Sequence, residues 1–211
     1  MMRNFTQSPV RSGAVSRRGV LAAALGSAVI ALIAPLPALA LDANAAKAHV
    51  QVTIDEVLAL VQAAGNQGVK PKDFRALLEK RTAMPQIARF AAGPLWREMS
   101  DAQQSSYTGA FSHYVSTIYA ARFQEYSGQT VDIGGANDRG KRGIEIASTV
   151  SGGGQVQVKV DWLVSDRPGR TVIADITIEG VSLLITQREE IAGIHRKQGS
   201  IDAMIDFLSS V

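Results

Sequence analysis

The sequence predicts an α+β domain with helices first, an antiparallel sheet after them and helices again at the end. Three observations carry that expectation. Apolar residues recur at helical spacing from Ile54 to Phe123, the period switches to strict alternation after Gln129, and it returns to helical after Gly180. The breaks between alternating runs are short and glycine-rich, which suits hairpins rather than crossovers. Strands gathered in one block, with helices before and after it, are the order of an α+β domain.

The first forty residues stand outside this pattern. They contain Arg3, Arg11, Arg17 and Arg18 and no acidic residue, then an uncharged run over 19–34, then Pro35, Pro37 and Ala38-Leu39-Ala40. A basic start, an apolar middle and a small-x-small end form a cleavable export signal. The run is too short and too alanine-rich for a stable membrane span. Ser16-Arg17-Arg18-Gly19-Val20-Leu21 is similar to a twin-arginine signal, with general secretory export as the alternative. Residues 1–40 are therefore expected to be a twin-arginine-like export signal and 41–211 the mature domain, placed in the periplasm.

Removing the signal changes the charge argument. The whole chain has 211 residues, 22 basic and 19 acidic, a net charge of +3 and a pI near 9.3. The four signal arginines account for the excess, leaving 18 basic against 19 acidic residues. No basic cluster interleaved with aromatics remains, so no nucleic-acid partner is expected. The absence of cysteine excludes disulfides, thiol catalysis and iron–sulfur ligation.

In the mature region, Thr53-Ile54-Asp55-Glu56 matches a capping box, with Ile54, Val57, Leu58 and Val61 along the helix and Gly65 closing it. Pro71 suits the first turn of a second helix carrying Phe74, Leu77 and Leu78. A third, from Met84, stops at Gly93-Pro94. The longest opens at Ser100 with Gln103 three residues on, and carries Tyr107, Phe111, Tyr114, Val115, Ile118, Tyr119 and Phe123. Such an aromatic stripe is either packed core or the wall of something larger, and periodicity does not separate the two. Three alternating runs follow, Ile144 to Val150, Val156 to Trp162 and Val172 to Ile178. Ser151-Gly152-Gly153-Gly154 and Asp166-Arg167-Pro168-Gly169 form their turns. Ser182 and Ser200 cap the two last helices.

Catalytic chemistry is not visible. His49, His113 and His195 lack neighbours at metal-ligand spacing, the triple glycine is not followed by Lys-Ser or Lys-Thr, and Ser182 lacks a nucleophile elbow. No metal, no cofactor and no enzymatic activity are expected, which leaves a binding protein, an adaptor or a carrier.

One family resemblance accounts for motifs over nearly the whole mature chain. Phe74-x-x-Leu77, Met84-x-x-Ile87-Ala88-Arg89-Phe90, Gly93-x-x-Trp96-Arg97, Glu125-Tyr126-x-Gly128-Gln129 and Asp175-Ile176-x-Ile178-Glu179-Gly180-Val181-Ser182-Leu183 occur in order, followed by Arg188. This resembles the MlaC, or toluene-tolerance auxiliary, family of periplasmic phospholipid-binding proteins. Two positions depart from the family pattern. The strand before Glu179 lacks its usual tryptophan, and Gln187 stands where many members have an aromatic residue.

The resemblance implies a twisted antiparallel sheet of nuclear-transport-factor-like type, wrapped by helices around a deep apolar lipid cavity. It implies a glycerophospholipid ligand shuttled between an inner-membrane ABC transporter complex, through its MCE-domain subunit, and an outer-membrane lipoprotein complex, so as to maintain outer-membrane lipid asymmetry. On that reading Phe90, Trp96, Phe111, Tyr114, Ile118, Trp162, Ile176, Ile178 and Val181 are a mixed set of core and lipid-binding residues. Arg89, Arg97 and Arg188 meet a head group or a docking surface. A tail of roughly 15 methylenes needs on the order of 12 kcal/mol of apolar shelter to leave a bilayer, at about 0.8 kcal/mol per methylene. A polycyclic lipid such as a hopanoid is the rival cargo. A non-lipid adaptor, or a small enzyme working through Asp161 or Asp175, is the rival class.

Overall fold

Asp42 opens the first helix. Its carboxylate accepts a hydrogen bond from the backbone N–H of Ala45 at 2.8 Å, and α1 runs Ala43–Ala64. The computed structural model describes residues 41–211 apart from 155 and 168, so the expected export signal lies outside the described residues. The expected start at Thr53 is corrected: Thr53 is inside the helix and donates its hydroxyl to the His49 carbonyl at 2.7 Å. The alanine-rich stretch over 43–48 is strong helix former, and it extends the helix about three turns ahead of the capping-box motif.

The other helices begin where their caps dictate. α2 (Pro71–Arg81) has proline in its first turn. α3 (Met84–Ala92) ends at Gly93, whose φ is +58°. α4 (Asp101–Arg122) opens on a complete capping box between Ser100 and Gln103. After the sheet, α5 (Leu183–Gln198) is capped by Ser182 and α6 (Ile201–Ser210) by Ser200.

Five antiparallel strands follow one another in sheet order as in sequence: β1 (Thr130–Asp138), β2 (Ile144–Ser151), β3 (Val158–Arg167), β4 (Arg170–Ile178) and β5 (Val181–Ser182). The α+β fold that the sequence predicts is thus the fold observed. Val156, expected within a strand, instead precedes β3. Gly143 fixes the entry to β2: its φ is +119°, and a Cβ there would lie 2.0 Å from the Val164 carbonyl oxygen.

Alternation gives the sheet two different faces. Register pairs Ile144 with Val164, Ile146 with Trp162, Ser148 with Val160 and Val150 with Val158; beyond β3, Trp162 faces Ile176 and Val160 faces Ile178. The opposite face carries Glu145, Thr149, Lys159, Asp161, Asp175 and Thr177. α1 covers one end of the apolar face, burying Ala46, Val50 and Ile54 against Ile144, Ile146 and Val164.

A second apolar cluster is wholly helical, with Tyr107, Phe111, Ile191, Met204 and Leu208 packed among α3, α4, α5 and α6. A third joins Val69, Phe74 and Ala120 to the second half of α1. Glu56 ties α1 to α2 by accepting hydrogen bonds from Arg81 and Lys80. Those three bonds, the two from Arg81 foremost, hold its carboxyl down at about 2. Among the described residues no helix is long and apolar enough to cross a membrane.

Candidate functional site

The α1 cluster takes in only one end of the apolar face of the sheet. Among the described residues, Val158, Val160, Ile176 and Ile178 belong to none of the three packed clusters, although all four lie in line with Trp162 on the apolar face. This strip runs out to a rim of exposed apolar side chains. Ile178 is 36% exposed, Val181, paired with it, 60%, and Val156, two residues before Val158, 86%. A single apolar side chain in water is ordinary, but three around one end of an apolar strip form a surface that an apolar ligand would bury.

The rim is held in shape by the turn between β4 and β5. Glu179 takes a φ of +49°, a conformation costly for a residue with a Cβ. Its own hydrogen bonds offset that cost: its N–H donates to the Lys159 carbonyl, and its carboxylate accepts from the Lys159 N–H. Asp175 fixes the next turn, accepting from the Ser182 hydroxyl at 2.6 Å and from the backbone N–H groups of Ile176 and Leu184. The Asp-Ile-x-Ile-Glu-Gly-Val-Ser segment is therefore a device that delivers α5 to the sheet edge at a fixed angle. Asp175, a residue on which an acid–base site was imagined, has both oxygens engaged in that task.

The arginine expected to meet a head group, Arg188, lies on α5 against Phe90 of α3. Arg188 lies one turn along α5 from Ile185, and its guanidinium is 5.2 Å from the Phe90 ring centroid. Gly93 makes room for it, since a Cβ at that position would lie 3.1 Å from Arg188 Nε. Arg89 stacks instead on Trp96 at 5.9 Å, and Arg97 is exposed at the end of the short helix Gly93–Arg97.

The sequence-derived set thus falls into three places. Phe111 and Tyr114 are buried in the helical cluster, with Trp96 and Ile118 packed against it. Trp162, Ile176, Ile178 and Val181 lie on the strip and its rim, where Trp162 Nε1 donates to Ser148 Oγ at 2.9 Å. Phe90 lies under Arg188 between α3 and α5.

α4 and α5 are bridged by polar tips rather than by close backbones. Tyr114 donates its hydroxyl to Glu190 at 2.6 Å, and the Gln187 amide donates to Glu190 at 3.0 Å and to the Tyr119 oxygen at 3.4 Å. Burial, then the Glu190 carboxylate, pushes the Tyr114 phenol far up. Burial alone does so for Tyr107, whose hydroxyl has no partner among the described residues.

Two openings stand out, and neither is lined by any residue of that set. An open cleft of about 610 Å³ lies among Glu79, Met84, Gly109, Arg167 and Val172, and a hollow of about 140 Å³ lies among Leu60, Val69 and Lys70. The deep apolar cavity expected from the resemblance is neither of them. Sequence reasoning passed over Val158 and Val160 as site residues, although period-two alternation already put them on the Trp162 face. No group of histidine and acidic side chains among the described residues is arranged to hold a metal.

Comparison with known proteins follows the same outline. A solved structure of a phospholipid-binding protein from Ralstonia solanacearum, in complex with a phospholipid, superposes with a TM-score of 0.66 at 23% identity, covering 78% of this chain and 95% of that one. The family model of the MlaC protein matches residues 51–210. That span starts within α1 and takes in α2 to α6, the whole sheet and the Glu179 turn, and by it the chain belongs to the MlaC family.

Proposed function

We propose that this chain is a periplasmic phospholipid carrier, delivered there by residues 1–40, that holds its cargo by the acyl tails. The observation that carries the reading is the apolar strip Val158, Val160, Ile176 and Ile178, buried at Val160, half-buried at Val158 and Ile176, and exposed at its Ile178 end beside Val156 and Val181. Family membership and the phospholipid in the Ralstonia solanacearum structure support the same ligand class. Methylene burial carries no head-group information, so several head groups would be accepted, and Arg188 is proposed to meet a phosphate by paired N–H donors. No residue breaks a bond in this role.

A carrier of this kind exchanges cargo between docking sites. The partners proposed are an inner-membrane ABC transporter complex, met at its MCE-domain subunit, and an outer-membrane lipoprotein complex. Net direction comes from the transporter, because a passive carrier only equilibrates between the two.

The test is native mass spectrometry of the exported protein purified without detergent, followed by lipid extraction. The account expects a two-tailed phospholipid at near one-to-one occupancy. A lipid-free protein that also takes nothing from phospholipid vesicles would contradict it, and a co-purified polycyclic lipid would change the cargo.

A further inference from the structure

We propose that the cleft between the α2–α3 junction and the β3–β4 hairpin is a docking site for an acidic peptide segment of a partner protein. The cleft lies on the other side of the sheet from the apolar strip: Val172, at its floor, pairs with Ser165 on the face opposite Val164 and Trp162. The inference therefore does not rest on the lipid reading.

The hairpin supplies the charge. Arg167 and Arg170 are paired directly across from each other, an arrangement of like charges that is unfavourable in an empty sheet. Asp166, one residue earlier, does not relieve it. Alternation turns its side chain to the other face, where its carboxylate accepts from the Thr171 hydroxyl at 2.9 Å. Arg170 is also fixed in place, donating to the carbonyls of Glu79 at 2.9 Å and Thr82 at 2.7 Å. Those bonds hold its position and leave its charge without a carboxylate.

The remaining ionic groups of the cleft cancel. Arg75 donates to Glu79 at 2.8 Å, and Ser112 donates to the same carboxylate oxygen at 3.0 Å. The net excess is then the two hairpin guanidiniums. Between them and α4 the floor is apolar, made by Ala83, Met84 and Val172, all buried. Gly109 on α4 keeps that wall low.

Volume and chemistry together select the occupant. A space of about 610 Å³ is ligand-sized and far larger than a phosphate ion needs. A pair of cations beside an apolar floor suits a chain in which carboxylates alternate with apolar side chains, and the carboxylates would relieve the Arg167–Arg170 repulsion.

The probe is a fluorescein-labelled eight-residue peptide of alternating Glu and Leu, titrated into the purified protein by fluorescence anisotropy. Saturable binding is expected that weakens as salt rises, with Arg167→Glu weakening it about ten-fold or more. Arg167→Gln should fall between the two. Co-purified lipid should be unchanged in both variants, which separates failure of this site from misfolding and from failure of the lipid reading. Binding that survives Arg167→Glu, or equal binding of the Lys-Leu counterpart peptide, would overturn the proposal. So would Arg167-dependent binding to vesicles of phosphatidylglycerol in phosphatidylcholine without binding of the peptide, since that outcome assigns the cleft to a membrane surface.

Discussion

The helical cluster around Phe111 and the strip around Ile176 are equally apolar in sequence and differ in what covers them. In the first, side chains from four helices close over Tyr107 and Phe111 until both are 0% exposed. In the second, the α1 cluster takes in Ile144, Ile146 and Val164; beyond it Val160 is still buried, Val158 and Ile176 are half-buried, and the strip ends on exposed Ile178 and Val181. A stripe of aromatics is thus not by itself a pocket. What distinguishes a binding wall from a core is the missing layer above it.

The largest expected effect strikes the closed region. Phe111→Ala should cost about 3–5 kcal/mol of stability in urea unfolding, with lipid lost only in proportion to unfolded protein. The open region should behave the other way round. Ile178→Asp combined with Val181→Asp should change stability by less than about 1 kcal/mol while removing most co-purified phospholipid. If both variants lose lipid and stability together, the two regions form one core and the comparison fails.

Alkaline pH should weaken the closed region first. Tyr107 and Tyr114 are pushed well above the ordinary phenol value near 10, so the folded state holds those protons more tightly than the unfolded state does. The corresponding stability is complete below pH 10 and is lost as pH rises beyond it, which thermal unfolding between pH 8 and 11 would show. Tyr107→Phe should flatten part of that decline. It removes a buried hydroxyl that has no partner among the described residues, so its own stability should be unchanged or higher by up to about 1 kcal/mol.

Much of this contrast was legible in the sequence. The caps at Ser100, Ser182 and Ser200, the stop at Gly93 and the switch of period after Gln129 are local signals, and local hydrogen bonding decides them. Thr53 misled because a capping box is a local option, and helix propensity over 43–48 overrode it. The site was half legible. Ile176, Ile178 and Val181 belong to a motif, but the division between them and Phe111 depends on which helices arrive from elsewhere in the chain. On α5, Ile185 and Ile191 are six residues apart and so about 120° from each other around the helix, which leaves Ile191 buried and Ile185 exposed. The Arg167–Arg170 pair was visible as two arginines flanking Pro168-Gly169, yet only the arrival of α2 and α3 makes it one wall of a cleft.

The central claim is that phospholipid tails lie against the open strip and not within the helical cluster. It is tested most directly by methyl NMR of isoleucine- and valine-labelled protein loaded with a phospholipid carrying a nitroxide on its acyl chain. The account predicts broadening of the Val158, Val160, Ile176 and Ile178 methyl signals, with Ile191 and Ile205 of the helical cluster left sharp. Broadening centred on Ile191 and Ile205, or none at Ile176 and Ile178 in a lipid-loaded sample, would contradict it.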